Sequence, residues 1–223
     1  MRGLPTDPTD PTDPTKPTKN SSKILKKGNI SLPLLINAEF MEHQIIASNN
    51  NYEELLCYKK AQVIYDLTYH FCTRFIDKHD RTFDQMIQAA RSGKQNIVEG
   101  IIDSSSSIEM AIKLINVARG SHKELLEDFK DYLRTRNMKQ WEYGSREVAA
   151  MRKIGTEHTD SEYYIRLAES RTDDVIANMT IVLLHQEDKL ILGYLRHIEE
   201  RFKSEGGIKE RMYHVRKAVQ NRG

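Results

Sequence analysis

The chain has 223 residues, of which 39% are apolar, so one or two domains with a substantial buried core are expected. Its formal net charge is only +2, which excludes an overall electrostatic attraction to nucleic acid or membrane surfaces. No signal peptide opens the chain and every apolar run is far shorter than the about 18 residues of a membrane span, so we expect a cytoplasmic protein without membrane contact.

The N-terminal region, residues 1–48, is predicted to be disordered. Residues 5–19 repeat Pro-Thr-Asp and then Pro-Thr-Lys, and a proline at every third position removes amide donors and favours an extended chain. We interpret this repeat as a linker, or as an upstream stretch that is included because the start codon was assigned too early. In the second case Met41 is another start. A proline-rich ligand segment is the alternative.

The first two predicted helices are recognised by apolar residues at steps of three and four. The first should run from about Asn51 to Asp77 and the second from Arg81 to Ile102. The expected buried face of the first consists of Cys57, Ala61, Ile64, Thr68, Phe71 and Phe75, and that of the second of Phe83, Met86, Ile87, Ala90, Ile97 and Ile101. Gly93 costs about 1 kcal/mol inside a helix, so it predicts a close approach of a neighbouring backbone.

The two cysteines fall on the first predicted helix. Cys57 and Cys72 are then roughly 22 Å apart at the rise of an α-helix, whereas a disulfide needs Cα atoms within about 7 Å. We therefore expect two small buried residues in a reducing compartment.

The third predicted helix is capped by Ser107 and ends near Asn137. Its apolar positions alternate steps of three and four, which is typical of helices that cross at a small angle in a bundle. This face consists of Ile108, Ala111, Ile115, Ala118, His122, Leu125, Phe129 and Tyr132.

A short helical connection around residues 145–154 leads to the fourth long helix, predicted from Thr172 to about Ser204. Its expected buried face is Val175, Met179, Val182, Leu183, Gln186, Leu190, Tyr194, Ile198 and Phe202. Gly206 and Gly207 end it, and a last amphipathic helix follows from Ile208 to about Val219. The predicted fold is all-α: an up-down-up-down four-helix bundle over residues 49–204, with a short basic suffix helix in residues 205–223.

Charge is spread unevenly over these elements. Residues 51–137 carry 13 basic and 13 acidic side chains, whereas residues 201–223 carry 7 and 2, and residues 130–153 carry 7 and 3. The two basic stretches are candidate nucleic-acid surfaces, represented by Arg134, Arg136, Lys139, Trp141, Lys209, Arg211, Arg216 and Lys217. The alternative is that the charges are solvated and that Trp141 anchors its segment to the bundle.

Catalytic and metal-binding patterns do not emerge. Ser121 and His122 are adjacent on a helix and point about 100° apart, so they cannot form a nucleophile and base pair. No histidine follows a glutamate by three positions, and HExxH and CxxC are absent, so we expect no enzymatic activity, metal or cofactor. His122 is predicted to be a hydrogen-bonded core or interface residue, and His185 and Gln186 to be polar groups that set helix register.

Two short motifs resemble a known family. Asn96-Ile97-Val98-Glu99-Gly100, followed by Ala118-Arg119-Gly120-Ser121 and Glu124-Leu125, is similar to the bacterial four-helix-bundle proteins encoded in intervening sequences of large-subunit ribosomal RNA genes. Leu133-Arg134-Thr135-Arg136, Trp141, Ala177-Asn178, His185-Gln186 and the segment from Glu205 through Gly206 and Gly207 to Met212 resemble the branch with a C-terminal suffix. The resemblance covers residues 52–217.

The resemblance implies a four-helix bundle that assembles into a ring of about five subunits and has no enzymatic activity. Related accessory variability proteins of diversity-generating retroelements are basic, act with a reverse transcriptase and bind nucleic acid. This chain departs from its relatives at Ile87-Gln88, where they carry Arg-Arg, and at Lys94, where they carry proline. Two positive charges are therefore missing from the second helix, which argues against nucleic-acid binding by the bundle body.

The favoured function is a non-enzymatic homo-oligomeric assembly or adaptor protein with optional RNA contact. A nucleic-acid-binding accessory factor for a reverse transcriptase or ribosomal RNA is the alternative. Self-association is expected because Ile112, Leu114 and Val117 are apolar beside the buried face of the third helix. Glu99 and Arg119 are predicted to form an interhelical ion pair.

Overall fold

The computed structural model describes residues 51–104 and 106–205, together with Tyr213 and Lys217. Within these residues the protein contains helices and no strands, which confirms the all-α fold class. A turn of 3-10 helix at Tyr52–Glu54 precedes six α-helices in the same part of the chain: α1 (Leu56–Phe75), α2 (Arg81–Asp103), α3 (Ile108–Thr135), α4 (Arg146–Glu157), α5 (Ser161–Glu169) and α6 (Asp173–Glu205). The predicted N-terminal disorder, Gly206, Gly207 and the suffix helix lie outside the described residues, apart from Tyr213 and Lys217.

Side-chain caps fix where the helices begin. Asp80 accepts a hydrogen bond of 2.9 Å from the Thr82 amide at the start of α2, and Ser107 accepts one of 3.3 Å from Met110 at the start of α3, as predicted. Ser145 and Asp160 cap α4 and α5 in the same way. Each such bond satisfies an amide that has no partner inside its own helix.

The four long helices pack as neighbouring pairs. Helix α1 lies against α2 and α6, and α3 lies against α2 and α6. The two short helices add cover: α4 packs on α6 and α5 packs on α1. Helix α4 corresponds to the expected short connection, whereas α5 was not predicted. No described helix has the length and apolar character needed to cross a lipid bilayer.

The core consists of two apolar clusters, which we call the covered core and the open core. The covered core is rich in aromatic residues and lies beneath α4 and α5; it includes Ile64, Leu67, Phe71, Met86, Leu125, Phe129, Tyr132, Met151, Tyr164, Ile176 and Leu183. The open core, which has no residue from α4 or α5, consists of Cys57, Ala61, Ile97, Ile101, Ile108, Ala111, Ile115, Ala118, Ile191, Tyr194, Leu195 and Ile198.

The predicted buried faces hold well for α3 and less well for α6. All eight predicted positions of α3 are buried. On α6, Phe202 is 42% exposed, which contradicts the prediction, and a further set of positions is buried without having been predicted: Ile176, Ala177, Ile181, Leu184, Glu187, Ile191 and Leu195. The reason is that α6 contacts α1, α3 and α4, so more than one of its faces is covered.

Candidate functional site: a buried polar layer and the groove beside it

A layer of charged side chains separates the covered core from the open core. Each long helix contributes one residue at that level: Lys60 from α1, Gly93 from α2, His122 from α3 and Glu187 from α6. On α2, α3 and α6 the layer residue lies between the residues that belong to one core and those that belong to the other, as with Leu184 and Ile191 on either side of Glu187. On α1, Lys60 lies within the open-core residues, immediately before Ala61, and the covered core begins at Val63. All four residues are buried.

The centre of the layer is an ion pair between His122 and Glu187. The His122 Nδ1 atom lies 2.5 Å from Glu187 Oε2, and the side chains are 5% and 0% exposed. The contact does not have the angles of a well-aligned hydrogen bond, and among the described residues neither ring nitrogen nor either carboxylate oxygen has such a partner. A buried pair of this kind has strongly interacting charges and incompletely satisfied polar atoms.

Gly93 makes room for the imidazole. A Cβ atom at this position would overlap the His122 ring, with Nε2 as its nearest atom. The close approach predicted for Gly93 is therefore present, although the approaching group is a side chain and not a backbone. Its helix-propensity cost is offset because no other residue type leaves space for the ring.

Lys60 links the layer to the C-terminal end of α4. Its ammonium donates a hydrogen bond to the Gly155 carbonyl, and its Nζ lies 5.8 Å from the centre of the Tyr164 ring. Carbonyls in the last turn of a helix lack intrahelical partners and carry partial negative charge, so a cation there is favourable. Tyr164 completes the cap by donating to the carbonyls of Ile154 (3.3 Å) and His158 (2.9 Å).

Gln186 on α6 also contacts α4. Its Nε2 donates a 2.9 Å hydrogen bond to the Arg152 carbonyl, and a Cβ atom on Gly155 would overlap its Oε1. Gln186 therefore positions α4 against α6, in keeping with its predicted role as a polar residue that sets register.

The pKa values in the layer follow from burial and from Glu187. Burial lowers the pKa of Lys60 to about 8, although the Glu187 carboxylate opposes the change. Burial also lowers the pKa of His122, but the Glu187 carboxylate and the Ala90 backbone outweigh it, so the net pKa of His122 is raised. Burial raises the pKa values of Cys57 and Cys72 to about 12, which makes both free thiols poor nucleophiles at neutral pH.

The neighbouring ion pair corrects one prediction. Arg119 does not pair with Glu99; its Nε donates to Asp188 Oδ1 on α6 at 2.5 Å. Glu99 is exposed, whereas the adjacent Gly100 is buried and its missing Cβ makes room for Ile115. The predicted ion pair between Glu99 and Arg119 is therefore wrong, because Arg119 faces α6 and not α2.

The remaining motif residues have local roles. Asn96 donates a 2.9 Å hydrogen bond to the Ser92 carbonyl one turn earlier, and Gly120 is exposed with open space where a Cβ would lie. Ser121 contacts Ser92 through hydroxyl groups 3.0 Å apart, whereas His122 points into the core. Ser121 and His122 therefore contact different partners, Ser92 and Glu187.

A groove cavity lies on the outer side of the polar layer, between α3 and α6. Its volume is about 160 Å³, and it is lined by Arg119, His122, Lys123, Leu126, Leu184, His185, Asp188 and Ile191. The apolar side chains come from the two adjoining cores, whereas the basic side chains follow one face of α3 at steps of three and four. A second, smaller cavity of about 100 Å³ shares His185 and continues towards Trp141 and Arg152.

His185 lies in a region of positive potential. Burial lowers the pKa of His185, and Lys130, Arg152 and Lys189 from three helices lower it further against the opposing effect of Asp188. The guanidinium of Arg152 also lies 4.1 Å from the centre of the exposed Tyr143 ring. His185 is exposed and is therefore accessible to an anion.

Trp141 is held as an anchor. Its side chain is half-buried against the covered core, and its amide donates a 2.7 Å hydrogen bond to the Asn178 side-chain oxygen. Asn178, which is 1% exposed, donates in turn to the Lys139 carbonyl at 3.0 Å and to the Asp174 carbonyl at 2.8 Å. Asn178 therefore fastens the segment between α3 and α4 to α6.

The cations predicted around Trp141 point to local partners. Arg134 pairs with Asp131 at 2.8 Å and Lys139 with Glu142 at 3.4 Å. The Arg136 guanidinium stacks 3.8 Å from the centre of the Tyr132 ring. These three cations are absent from the lining of the small cavity beside Trp141. The basic side chain that lines this cavity together with Trp141 is Arg152, which the sequence pattern did not single out.

The predicted tail cluster is only partly described. Lys209, Arg211 and Arg216 lie outside the described residues. Lys217 is exposed, and its Nζ lies 5.9 Å from the centre of the Tyr213 ring.

The described residues contain no group of three or more His, Cys, Asp or Glu side chains that could hold a metal ion. What they contain is a buried charge layer beside a cationic, apolar-floored groove, in an all-helical scaffold. Comparison of the chain with models of known protein families, with curated proteins and with solved structures found no match.

Sequence reasoning missed Lys60, Glu187 and Asp188. Lysine, glutamate and aspartate are almost always on the surface, so a periodic pattern of apolar residues places them outside. One signal was present: His122 occupied an apolar position of α3, and a buried histidine needs a polar partner on a facing helix.

Proposed function

We propose that the protein is a non-enzymatic homo-oligomeric assembly or adaptor protein built on an up-down-up-down four-helix bundle. Antiparallel packing of α3 and α6 supports this topology, because Tyr132 near the end of α3 donates to Asp173 at the start of α6, at 2.8 Å. The resemblance to the ribosomal RNA intervening-sequence family supports a ring of about five subunits, and the two buried free cysteines support a cytoplasmic location.

The observation that carries the proposal is the uncovered apolar surface beside the open core. Met110 and Val117 are 46% and 53% exposed, and their spacing of seven residues places them on one face of α3 with half-buried Leu114 between them. Ile102 near the end of α2 and Phe202 near the end of α6 are also exposed, at 43% and 42%. An exposed apolar patch such as the one on α3 is typical of protein interfaces, and in the proposed assembly a second copy of the chain buries it.

Sedimentation velocity at micromolar concentration tests this surface. We expect the wild-type protein to sediment as an oligomer and a variant with Met110→Lys and Val117→Lys to sediment as a monomer, because two buried charges per interface prevent association. Tyr69→Lys is the matched control, since Tyr69 is a 51% exposed aromatic residue on α1. A monomeric wild-type protein, or equal dissociation by the control, would contradict the proposal.

RNA contact is the second candidate function, and the positive region around His185 favours it. Phosphate contacts give an affinity that falls steeply with salt. Arg152→Gln should therefore reduce both RNA affinity and its salt dependence, whereas Arg134→Gln should not, because Arg134 is already paired with Asp131. Binding that is insensitive to salt would argue against this function.

A further inference from the structure

The groove cavity between α3 and α6 combines an apolar floor with a cationic rim. Leu126, Leu184 and Ile191 form the floor, while Arg119 and Lys123 stand one helical turn apart on the α3 side. An enclosed apolar space of about 150 Å³ accommodates a benzene-sized molecule. The volume of about 160 Å³ therefore matches a compact apolar body and is too small for a polymer such as RNA.

The rim has hydrogen-bond donors that can bind an anion. Only the Nε of Arg119 is engaged, by Asp188, among the described residues, so both terminal guanidinium nitrogens remain as donors. Those two nitrogens have the planar fork geometry that binds a carboxylate through two hydrogen bonds. Lys123 is exposed one turn away and adds a second positive charge.

The back wall of the cavity is formed by His122, which is 5% exposed. Its Nδ1 atom lies 2.5 Å from Glu187 Oε2 on α6, and its Nε2 atom is the group that a Cβ atom on Gly93 of α2 would meet. Both ring nitrogens are therefore directed at neighbouring helices, and the imidazole closes the cavity on its inner side.

The charges facing the cavity favour an anion over a neutral or cationic ligand. Asp188 is the single acidic residue of the lining and pairs with Arg119, so Lys123 carries the remaining formal charge of the rim. Lys130 and Lys189 add positive potential at His185. A cation would be repelled by these lysines, whereas a monoanion would be attracted to them and can accept hydrogen bonds from the terminal nitrogens of Arg119.

We propose that the groove cavity binds a compact carboxylate with an aromatic or branched aliphatic body, whose charge is held by Arg119 and Lys123 and whose body rests on Leu126, Leu184 and Ile191. The chemistry assigns the class of ligand: a monocarboxylate of about the size of benzoate. This site is independent of self-association, because the exposed apolar face that contains Met110 and Val117 lies outside the lining of the cavity.

Benzoate is a suitable probe, and methyl NMR of the full-length protein is a suitable readout. We expect saturable shifts of the Leu126, Leu184 and Ile191 methyl groups with benzoate. Benzyl alcohol and benzylamine, which keep the ring and lack the negative charge, should bind at least about tenfold more weakly. Equal binding of all three compounds, or no saturable binding of benzoate, would overturn the proposal.

Two lysines of the same helix provide a matched pair of variants. Lys123→Gln should weaken benzoate binding by about three- to fivefold, as expected for an exposed charge. Lys113→Gln should leave it unchanged, because Lys113 pairs with Glu109 at 2.9 Å and does not line the cavity. Both variants keep the core intact, so unchanged melting temperatures are expected, and equal weakening by the two would contradict the assignment.

The titration of His185 gives an independent readout of where the carboxylate lies. A bound anion stabilises the protonated imidazole, so saturating benzoate should raise the pKa of His185, whereas benzyl alcohol should not. Methyl shifts without a change in this pKa would place the carboxylate away from the rim and would overturn the proposal.

Discussion

The covered core and the open core are built on the same four long helices but are completed in different ways. The covered core packs large aromatic residues such as Phe71, Phe129 and Tyr164 and receives α4 and α5 as an outer layer. The open core packs mainly isoleucine and alanine, and apolar residues next to it remain exposed. Among the described residues, one half of the bundle is therefore covered by two further helices, whereas the other half leaves apolar side chains such as Met110 and Val117 exposed.

The polar layer lies between these halves and interacts with both. Lys60 caps α4 of the covered half, while the Glu187 carboxylate raises the pKa of Cys57 in the open core, after the larger effect of burial. Because charges are costly to bury without a partner, we expect the layer to favour the helix register that brings Lys60, His122 and Glu187 together.

The largest effect is expected from Glu187→Leu. This substitution leaves Lys60 and His122 buried without their carboxylate, and uncompensated buried charge should lower the free energy of unfolding by about 3–5 kcal/mol. Urea unfolding followed by circular dichroism measures the change. Asp188→Asn is the control on the same helix; its half-exposed pair with Arg119 should contribute about 1 kcal/mol or less. If the two variants lose equal stability, the buried layer has no special role.

A smaller loss of stability is expected from a substitution at Gly93, the residue that α2 contributes to the layer. Gly93→Ala should destabilise the fold by about 1–3 kcal/mol, because the new methyl group overlaps the His122 ring. Gly120→Ala should stabilise it by roughly 0.5–1 kcal/mol, since Gly120 lies inside α3 with open space at its Cβ position. Thermal unfolding of both variants compares the same chemical change with and without the contact. Stabilisation by Gly93→Ala would mean that His122 moves aside freely.

The contrast between Gly93 and Gly120 also shows what the sequence could predict. Regular three- and four-residue steps identified the buried face of α3, including His122, because α3 buries a single face. The same reasoning placed Phe202 inside and missed Leu184 and Ile191, because α6 is covered on more than one side. Spacing along one helix contains no information on how many helices surround it.

The candidate site was less predictable than the fold. The motif around Arg119 was correctly recognised as a place for an ion pair, but its partner Asp188 lies 69 positions away on α6. Helix α5 was missed because it has only nine residues, although Asp160 was available as a cap. Contacts between distant helices depend on tertiary packing, which a single sequence does not display.

The dependence of the free energy of unfolding on pH should distinguish His122 from Lys60. The pKa of His122 is raised above its ordinary value of 6.5, so the folded protein holds more protons and the free energy of unfolding falls as pH rises through that raised pKa. The pKa of Lys60 is lowered from 10.5 to about 8, so the unfolded chain holds more protons between these values and stability rises there. Urea midpoints should show a falling limb that His122→Asn removes and a rising limb, between about pH 7 and pH 9, that Lys60→Met removes. Above about pH 9 the raised pKa values of Cys57 and Cys72 lower the free energy of unfolding, because the folded protein then holds more protons on these thiols than the unfolded chain does. Loss of both limbs in one variant would mean that the groups do not titrate separately.

The smallest effect compares helix caps in the two halves. Ser107 caps α3 beside the open core with a 3.3 Å hydrogen bond, and Ser145 caps α4 beside the covered core with one of 3.2 Å. Each change to alanine should cost about 1 kcal/mol. Amide hydrogen exchange should locate the loss: Ser107→Ala should speed exchange of open-core amides by about fivefold and leave the slowest covered-core amides unchanged, because the polar layer interrupts the apolar contacts between them. Equal acceleration in both halves would show that the bundle unfolds as one unit across the layer.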